Sequence, residues 1–263
     1  MGITKAPPSL DRLRQSLAGL DPTLAPRLQE AQEGAFGLGI RPIDRALAGG
    51  LASGALHELA PSAPMHLGAA TGFATALAAL AGSRRGEVLW VATYFAQAEA
   101  GIPYGPGLDG LGLAAKRLVL LRVPRALDVL WAMEEALRCR ALGGVLAELT
   151  EDAVPDLTAT RRLALAARDG AGFGFLLRQR PSGAPTAAAT RWLIAGSASE
   201  PDPYGGLGPA AFDLALIKNR RGPTGRWTIT WDHHECVFRP AVSLGVAEAA
   251  VDRSDRAPFV RAG

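Results

Sequence analysis

The chain has little cysteine. Its 263 residues include two, Cys139 and Cys236, far apart and in no metal-ligand spacing. That argues against a disulfide framework and for a reducing compartment. A charge excess is also lacking. The 28 Lys and Arg face 25 Asp and Glu, for a formal net charge of +3. So mild a basic balance is compatible with nucleic acid and does not demand it. The first eight residues hold no apolar signal core. The longest uncharged run, 65–82, is dominated by Ala and Gly and reads as too short and too weakly apolar to span a bilayer. The expectation is a cytoplasmic protein with no membrane segment. What the chain does have is apolar residues, 48% of the total, enough for a sizeable core in one large domain. The bias towards Ala, Gly, Leu, Arg and Pro fits a GC-rich genome.

Along the chain, Leu10, Leu13, Leu17 and Leu20 fall on one helical stripe, and Asp21-Pro22 interrupts it. Residues 1–36 therefore read as an N-terminal helical arm. A short helix at 43–47 ends at Gly49-Gly50, and a strand follows at 55–60. Pro61 and Pro64 bound a loop that leads into a glycine segment, with an Ala-rich helix from 75 to 81. Apolar strands are expected at 87–93, 118–123, 144–149 and 172–177, alternating with helices at 126–140 and 156–168. Residues 101–112, rich in Gly and Pro, read as loop. Near-continuous apolar strands between helices predict an α/β fold whose mostly parallel sheet is flanked by helices. Beyond Arg191 the pattern changes to strands at 190–195, 212–219 and 226–232, the last two joined by Gly222-Pro223-Thr224-Gly225. That predicts an antiparallel extension near the C-terminus. The expected division is an arm at 1–36, a core at 37–240 and a mobile, charged tail at 241–263.

The order of these elements resembles the RecA recombinase family over roughly 37–238. Ile43-Asp44-Arg45-Ala46-Leu47-Ala48-Gly49-Gly50-Leu51 looks like the entry motif, and Gly54-Ala55-Leu56-His57-Glu58-Leu59 like the strand before the phosphate loop. Lys218-Asn219-Arg220 resembles the basic strand end that lies between protomers in that family. More closely, His57-Glu58-Leu59 and the run Gly68-Ala69-Ala70-Thr71-Gly72-Phe73-Ala74 resemble the ImuA family, RecA-like proteins of bacterial mutasomes. The resemblance implies a RecA-like core. It also implies work beside an inactive Y-family polymerase homologue (ImuB-type) and an error-prone DnaE2-type polymerase, with the RecA filament or DNA as further partners.

A phosphate loop needs glycines whose backbone curls around phosphates, a lysine to neutralise them, and a Ser or Thr to hold magnesium. Here Gly72 occupies the second glycine position and Gly68 lies one residue late. Phe73 and Ala74 stand where lysine and the hydroxyl belong, and Thr75 is one place too far. Gly68, Gly72 and Thr75 thus mark a degenerate nucleotide-binding loop at a helix start, a place that still suits an anion. Where the resemblance implies a water-activating glutamate after the second strand, Tyr94, Phe95, Ala96 and Gln97 stand instead, and the first acid is Glu99. Glu148 occupies the magnesium-linked strand-end position and reads most simply as a solvated acid. No catalytic residue and no cofactor are expected.

Lys218, Asn219, Arg220 and Arg221 are the candidates for an interface or DNA contact; an ordinary charged hairpin tip is the alternative. Trp227 and Trp231 share one strand face, for sheet packing or for a partner. His233, His234 and Cys236 lack a second cluster that would complete a metal site. The leading expectation is a non-catalytic adaptor of error-prone translesion synthesis. The alternatives are a SulA-like division inhibitor and an ATPase with a displaced lysine, Lys116 or Lys218.

Overall fold

The computed structural model describes residues 34–150, 153–199, 201 and 206–241. Most of the expected N-terminal arm, and the expected tail beyond Ala241, lie outside the described residues. Nine strands form one sheet in the order β3-β2-β4-β5-β1-β6-β7-β8-β9. They are β1 (Ala55–Pro61), β2 (Glu87–Thr93), β3 (Leu118–Val123), β4 (Leu142–Leu149), β5 (Phe173–Arg178), β6 (Thr190–Gly196), β7 (Ala211–Asn219), β8 (Gly225–Asp232) and β9 (Val237–Pro240). From β3 across to β6 every pairing is parallel; β7, β8 and β9 add on antiparallel. This is the α/β fold expected, mostly parallel with an antiparallel C-terminal extension. Strands β1, β2, β4 and β5 are buried along almost their whole length. Their unbroken apolar runs therefore need cover on both faces.

One face is covered by α2 (Leu67–Arg85), with α1 (Arg41–Ala46) and α4 (Gly105–Gly110) beside it. The other is covered by α5 (Ala126–Arg138) and α6 (Leu157–Gly170). Asp156 caps α6, its carboxylate accepting from the Ala159 N–H at 2.7 Å. Helix α2 lies across the centre of the sheet, with Ala70, Ala74, Ala76, Ala78 and Ala81 fully buried. Small side chains let its backbone approach the strands. A Cβ on Gly143 of β4 would stand 2.8 Å from the Ala81 carbonyl, and one on Gly82 would meet Val88 at 2.7 Å. The Ala and Gly bias therefore has a packing role here. The helix stops at Gly86 (φ 147°), and the Arg117 guanidinium donates to the Gly82 and Gly86 carbonyls, a cation at a helix C-terminus.

Several local expectations are corrected. The segment 67–75, expected as a loop, is helical, because α2 begins at Leu67. Helix α2 is also long and apolar enough to cross a membrane by length and composition, against the expectation from its sequence, and it is spent instead on the core. Residues 101–112 are not all loop. Pro106 sits in the first turn of α4, Leu108 is buried, and the Trp231 indole donates to the Gly110 carbonyl at 2.8 Å, so tertiary contact overrides weak propensity. Helix α3 (Tyr94–Ala100) and strand β9 were not anticipated. Thr93 caps α3 by accepting from the Ala96 N–H at 3.0 Å.

The tightest approach of the two outer helices is at Gly170, where a Cβ would fall 1.9 Å from the Leu137 carbonyl oxygen. Gly170→Ala is expected to destabilise the fold by at least ~1–3 kcal/mol, the usual range for overpacking. Chemical denaturation with the wild type in parallel checks this.

Candidate functional site

The three residues of the degenerate loop do not form a cradle. Gly68 and Gly72 lie in the first turns of α2 and neither has a positive φ, so the backbone amides run along the helix axis. From Thr71 onward they are committed to intrahelical hydrogen bonds. Gly68 is exposed and Gly72 half-buried. Thr75 is 1% exposed, and its hydroxyl donates to the Thr71 carbonyl at 2.8 Å, so it faces the helix and not a ligand. Phe73, in the lysine position, is fully buried. Its ring lies 5.4 Å from Phe238, 5.8 Å from Phe212 and 6.2 Å from Trp192 between centroids. A cation there would be desolvated without a partner.

Beside the first turn of α2 is a cavity of about 360 Å³. Leu67, Gly68 and Thr71 form one wall, Trp90 and Glu148 the floor, and Gln97 with residues 101–104 the far side. No Lys or Arg lines it. Glu148 is 6% exposed, which corrects the expectation of a solvated strand-end acid. Burial pushes its carboxyl above the usual carboxylate range, and the neighbouring Trp90 indole holds part of that rise in check. The Trp90 Nε1 nevertheless has no hydrogen-bond partner of good geometry, nor do the two amide atoms of buried Gln97. Glu99 is exposed on α3. Of the two candidate displaced lysines, Lys116 is exposed on a single 3-10 turn, and Lys218 donates to the Thr186 carbonyl.

The strand before α2 carries a buried polar pair. His57 is fully buried. Its Nε2 is 2.9 Å from the Ala52 carbonyl, which can only accept, so Nε2 carries the proton. Its Nδ1 then accepts from the Thr190 hydroxyl at 2.8 Å. The Trp192 indole donates to the same hydroxyl oxygen at 2.9 Å. Desolvation lowers the imidazole pKa to about 4, with Arg221 adding a smaller push in the same direction and the Ala52 hydrogen bond opposing. Next to it, Glu58 is 1% exposed. It pairs with Arg191 at 2.6 Å and accepts from the Thr186 hydroxyl at 2.6 Å. Arg191 spends its other N–H groups on the Ser182 and Ala184 carbonyls. The pair thereby ties β1 to β6 and to the loop before β6.

The four basic-strand candidates divide. Asn219 donates to the Ala46 carbonyl at 2.8 Å and the Pro223 carbonyl at 2.9 Å, and accepts from the Arg221 N–H at 3.0 Å. It staples the 219–225 turn to α1. Arg221 donates to the Ala48 carbonyl at 3.2 Å. Lys218 is half-buried, and desolvation, with Arg220 and Arg191 nearby, lowers its pKa. Arg220 is exposed. Trp231 is buried, while Trp227 is half-buried with its ring 6.3 Å from Trp192; both pack on the sheet. Among the described residues no group of three or more His, Cys, Asp or Glu could hold a metal ion.

On the opposite face, an open apolar groove of about 610 Å³ runs between the N-terminal ends of α5 and α6. Phe95, Leu127 and Val154 line it, and they are 61%, 72% and 55% exposed. Sequence reasoning missed this groove, because Leu127 fits the apolar pattern of α5 and only the register shows it turned outward. It also passed over Gln97, since an acid was sought there. The signal was Thr93, a helix cap that starts α3 and so turns Gln97 inward.

No family model matches the chain. Two curated relatives, both described as "Protein ImuA" and taken from two strains of Caulobacter vibrioides, are each 36% identical over 195 residues. The match covers 69% of this chain and 76% of the relative.

His57 gives the site a pH signature. Its folded pKa of about 4 lies below the ordinary value of about 6.5 for an unfolded chain. The unfolded state thus takes up a proton first as pH falls. The stability His57 contributes is complete above pH ~6.5 and is lost progressively down to pH ~4, up to roughly 3 kcal/mol. In His57→Gln the slope of stability against pH over that window should flatten; urea titrations between pH 4 and 7 measure it.

Proposed function

The chain belongs to the ImuA family, and from that membership we propose that it is a non-catalytic, RecA-like accessory protein of error-prone translesion DNA synthesis. In this reading it acts in the cytoplasm as an adaptor between an inactive Y-family polymerase homologue of the ImuB type and an error-prone polymerase of the DnaE2 type. The RecA filament or DNA is a further partner.

The observation that carries the non-catalytic part is Phe73. A fully buried aromatic in the lysine position, on a helix continuous from Leu67, removes both the charge and the curled backbone that triphosphate binding uses. The cavity beside it holds no cation to replace them. The adaptor part draws support from the exposed apolar groove around Leu127, a kind of surface that marks protein contact sites. We place the polymerase-homologue contact there. Arg220 and the tip of the β7–β8 turn remain the place for a nucleic-acid contact.

Full-length protein is expected to co-elute in size-exclusion chromatography with the polymerase homologue encoded in the same genome. Leu127→Asp should weaken that association at least tenfold while leaving the melting temperature within about 2 °C, as for a surface change. Isothermal titration with Mg-ATP should show no tight, magnesium-dependent binding. Tight magnesium-dependent ATP binding would overturn the non-catalytic reading, and absence of any association with the polymerase homologue would overturn the adaptor.

A further inference from the structure

The cavity beside α2 has an unfilled hydrogen-bonding wall. Gln97 is 7% exposed, lines the cavity, and neither its Nε2 nor its Oε1 has a partner. Trp90, 4% exposed, lines the same space, and its indole N–H lies beside the Glu148 carboxyl without a hydrogen bond of good geometry. Each such buried group left unmade costs on the order of 1–3 kcal/mol, and native folds keep few of them. The two free amide atoms of Gln97, with the weakly placed Trp90 N–H across the cavity, point to a partner that the chain itself does not supply.

The character of that partner follows from the lining. With no Lys or Arg in the wall and the carboxyl of Glu148 in it, an anion is disfavoured. A primary amide presents a donor and an acceptor side by side in one plane. It therefore pairs in a two-bond fashion with an edge that carries the reverse order, as glutamine does with the N6 and N7 of adenine. The Trp90 indole adds a single donor for a ring nitrogen or a carbonyl. Leu67, Ile102, Pro103 and Tyr104 give apolar surface for the faces of a flat ring. Ile102 and Tyr104 are exposed, so the cavity has an apolar lip. Its volume of about 360 Å³ falls in the range of small-molecule sites, from about 300 Å³ upward.

We propose that this cavity is a binding site for an uncharged purine-type base, held through its hydrogen-bonding edge by Gln97 and Trp90. The base comes either from a free nucleoside or from a nucleotide extruded from a single strand; the recognising chemistry is the same. The site is independent of the adaptor reading and can fail or stand without it.

The test uses full-length protein and calorimetric titration with adenosine, Mg-ATP and a short single-stranded oligonucleotide rich in adenine. Adenosine should bind saturably. Gln97→Leu should weaken it at least tenfold while leaving the unliganded melting temperature unchanged or raised, because two unpaired polar atoms are removed. Gly68→Leu is the second variant. A Cβ at Gly68 meets nothing within 4 Å, so the added side chain should fill the cavity without disturbing the core and should also abolish binding. Oligonucleotide binding with the same dependence on both variants assigns the base to a strand; adenosine binding alone assigns it to a free nucleoside. The proposal is overturned if adenosine shows no saturable binding up to millimolar concentration, so that the cavity holds water only. It is also overturned if both variants bind like the wild type, or if ATP binds more tightly than adenosine, which would mean that phosphate is what is recognised.

Discussion

Phe73 packs where the long helix α2, the parallel strands and the antiparallel extension meet. Its ring touches Trp192 of β6, Phe212 of β7 and Phe238 of β9. The contact joins elements far apart in sequence, and it holds the N-terminal half of α2 flat against the sheet. A residue that must be buried at this point forces the segment around it to be helical, because only a continuous helix carries Phe73, Ala74, Leu77 and Ala81 onto one buried surface. The absence of a phosphate cradle is therefore a consequence of packing as well as of missing charge. Removing such a side chain costs about 3–5 kcal/mol in a typical core, so the aromatic is as much a part of the fold as any strand.

The buried polar groups of β1 belong to the same design. Glu58 and Arg191 lie on adjacent strands, opposite each other in register, one position along from the His57–Thr190–Trp192 chain. Glu58 also accepts from the Thr186 hydroxyl and Arg191 also donates to two backbone carbonyls, which leaves the pair little freedom to slide. Burying an ion pair adds little net stability, but breaking one partner leaves an uncompensated charge. The pair thereby fixes the register between β1 and β6, and with it the surface against which Phe73 packs. Strand ends and turns near this network are likewise spoken for. Asn219, from the interface-like motif, and Arg221 beside it hold their turn against α1 and the residues that follow it. The surfaces that packing does not consume include the Leu127 groove and the exposed Arg220.

Much of the layering was legible in the sequence. Val88, Leu89, Trp90 and Val91 announce a buried parallel strand, Gly222-Pro223 a turn, and Asp156 a helix start, because each depends on local chemistry. The failures have a common cause, which is that distant contacts decide the outcome. Leu67 to Thr75 reads as loop by analogy with a phosphate site, yet its alanines favour a helix once the sheet offers a surface for them. Gly105 to Gly110 has poor helix propensity and is helical because Leu108 is buried and Trp231 binds Gly110. Glu148 reads as solvated in sequence because strand ends usually are; the loop at 101–104 and the start of α2 line the cavity around it. In sequence Gln97 reads only as the absence of an acid, and its unpaired amide is visible only in three dimensions.

Native-state amide hydrogen exchange across residues 71–77 tests the central claim most directly. If α2 is a core helix pinned by Phe73, these amides should exchange only on global unfolding, as slowly as those of β1 and β4. Fast exchange at 71–77, slowed on addition of Mg-ATP, would contradict the account and restore a phosphate-binding loop.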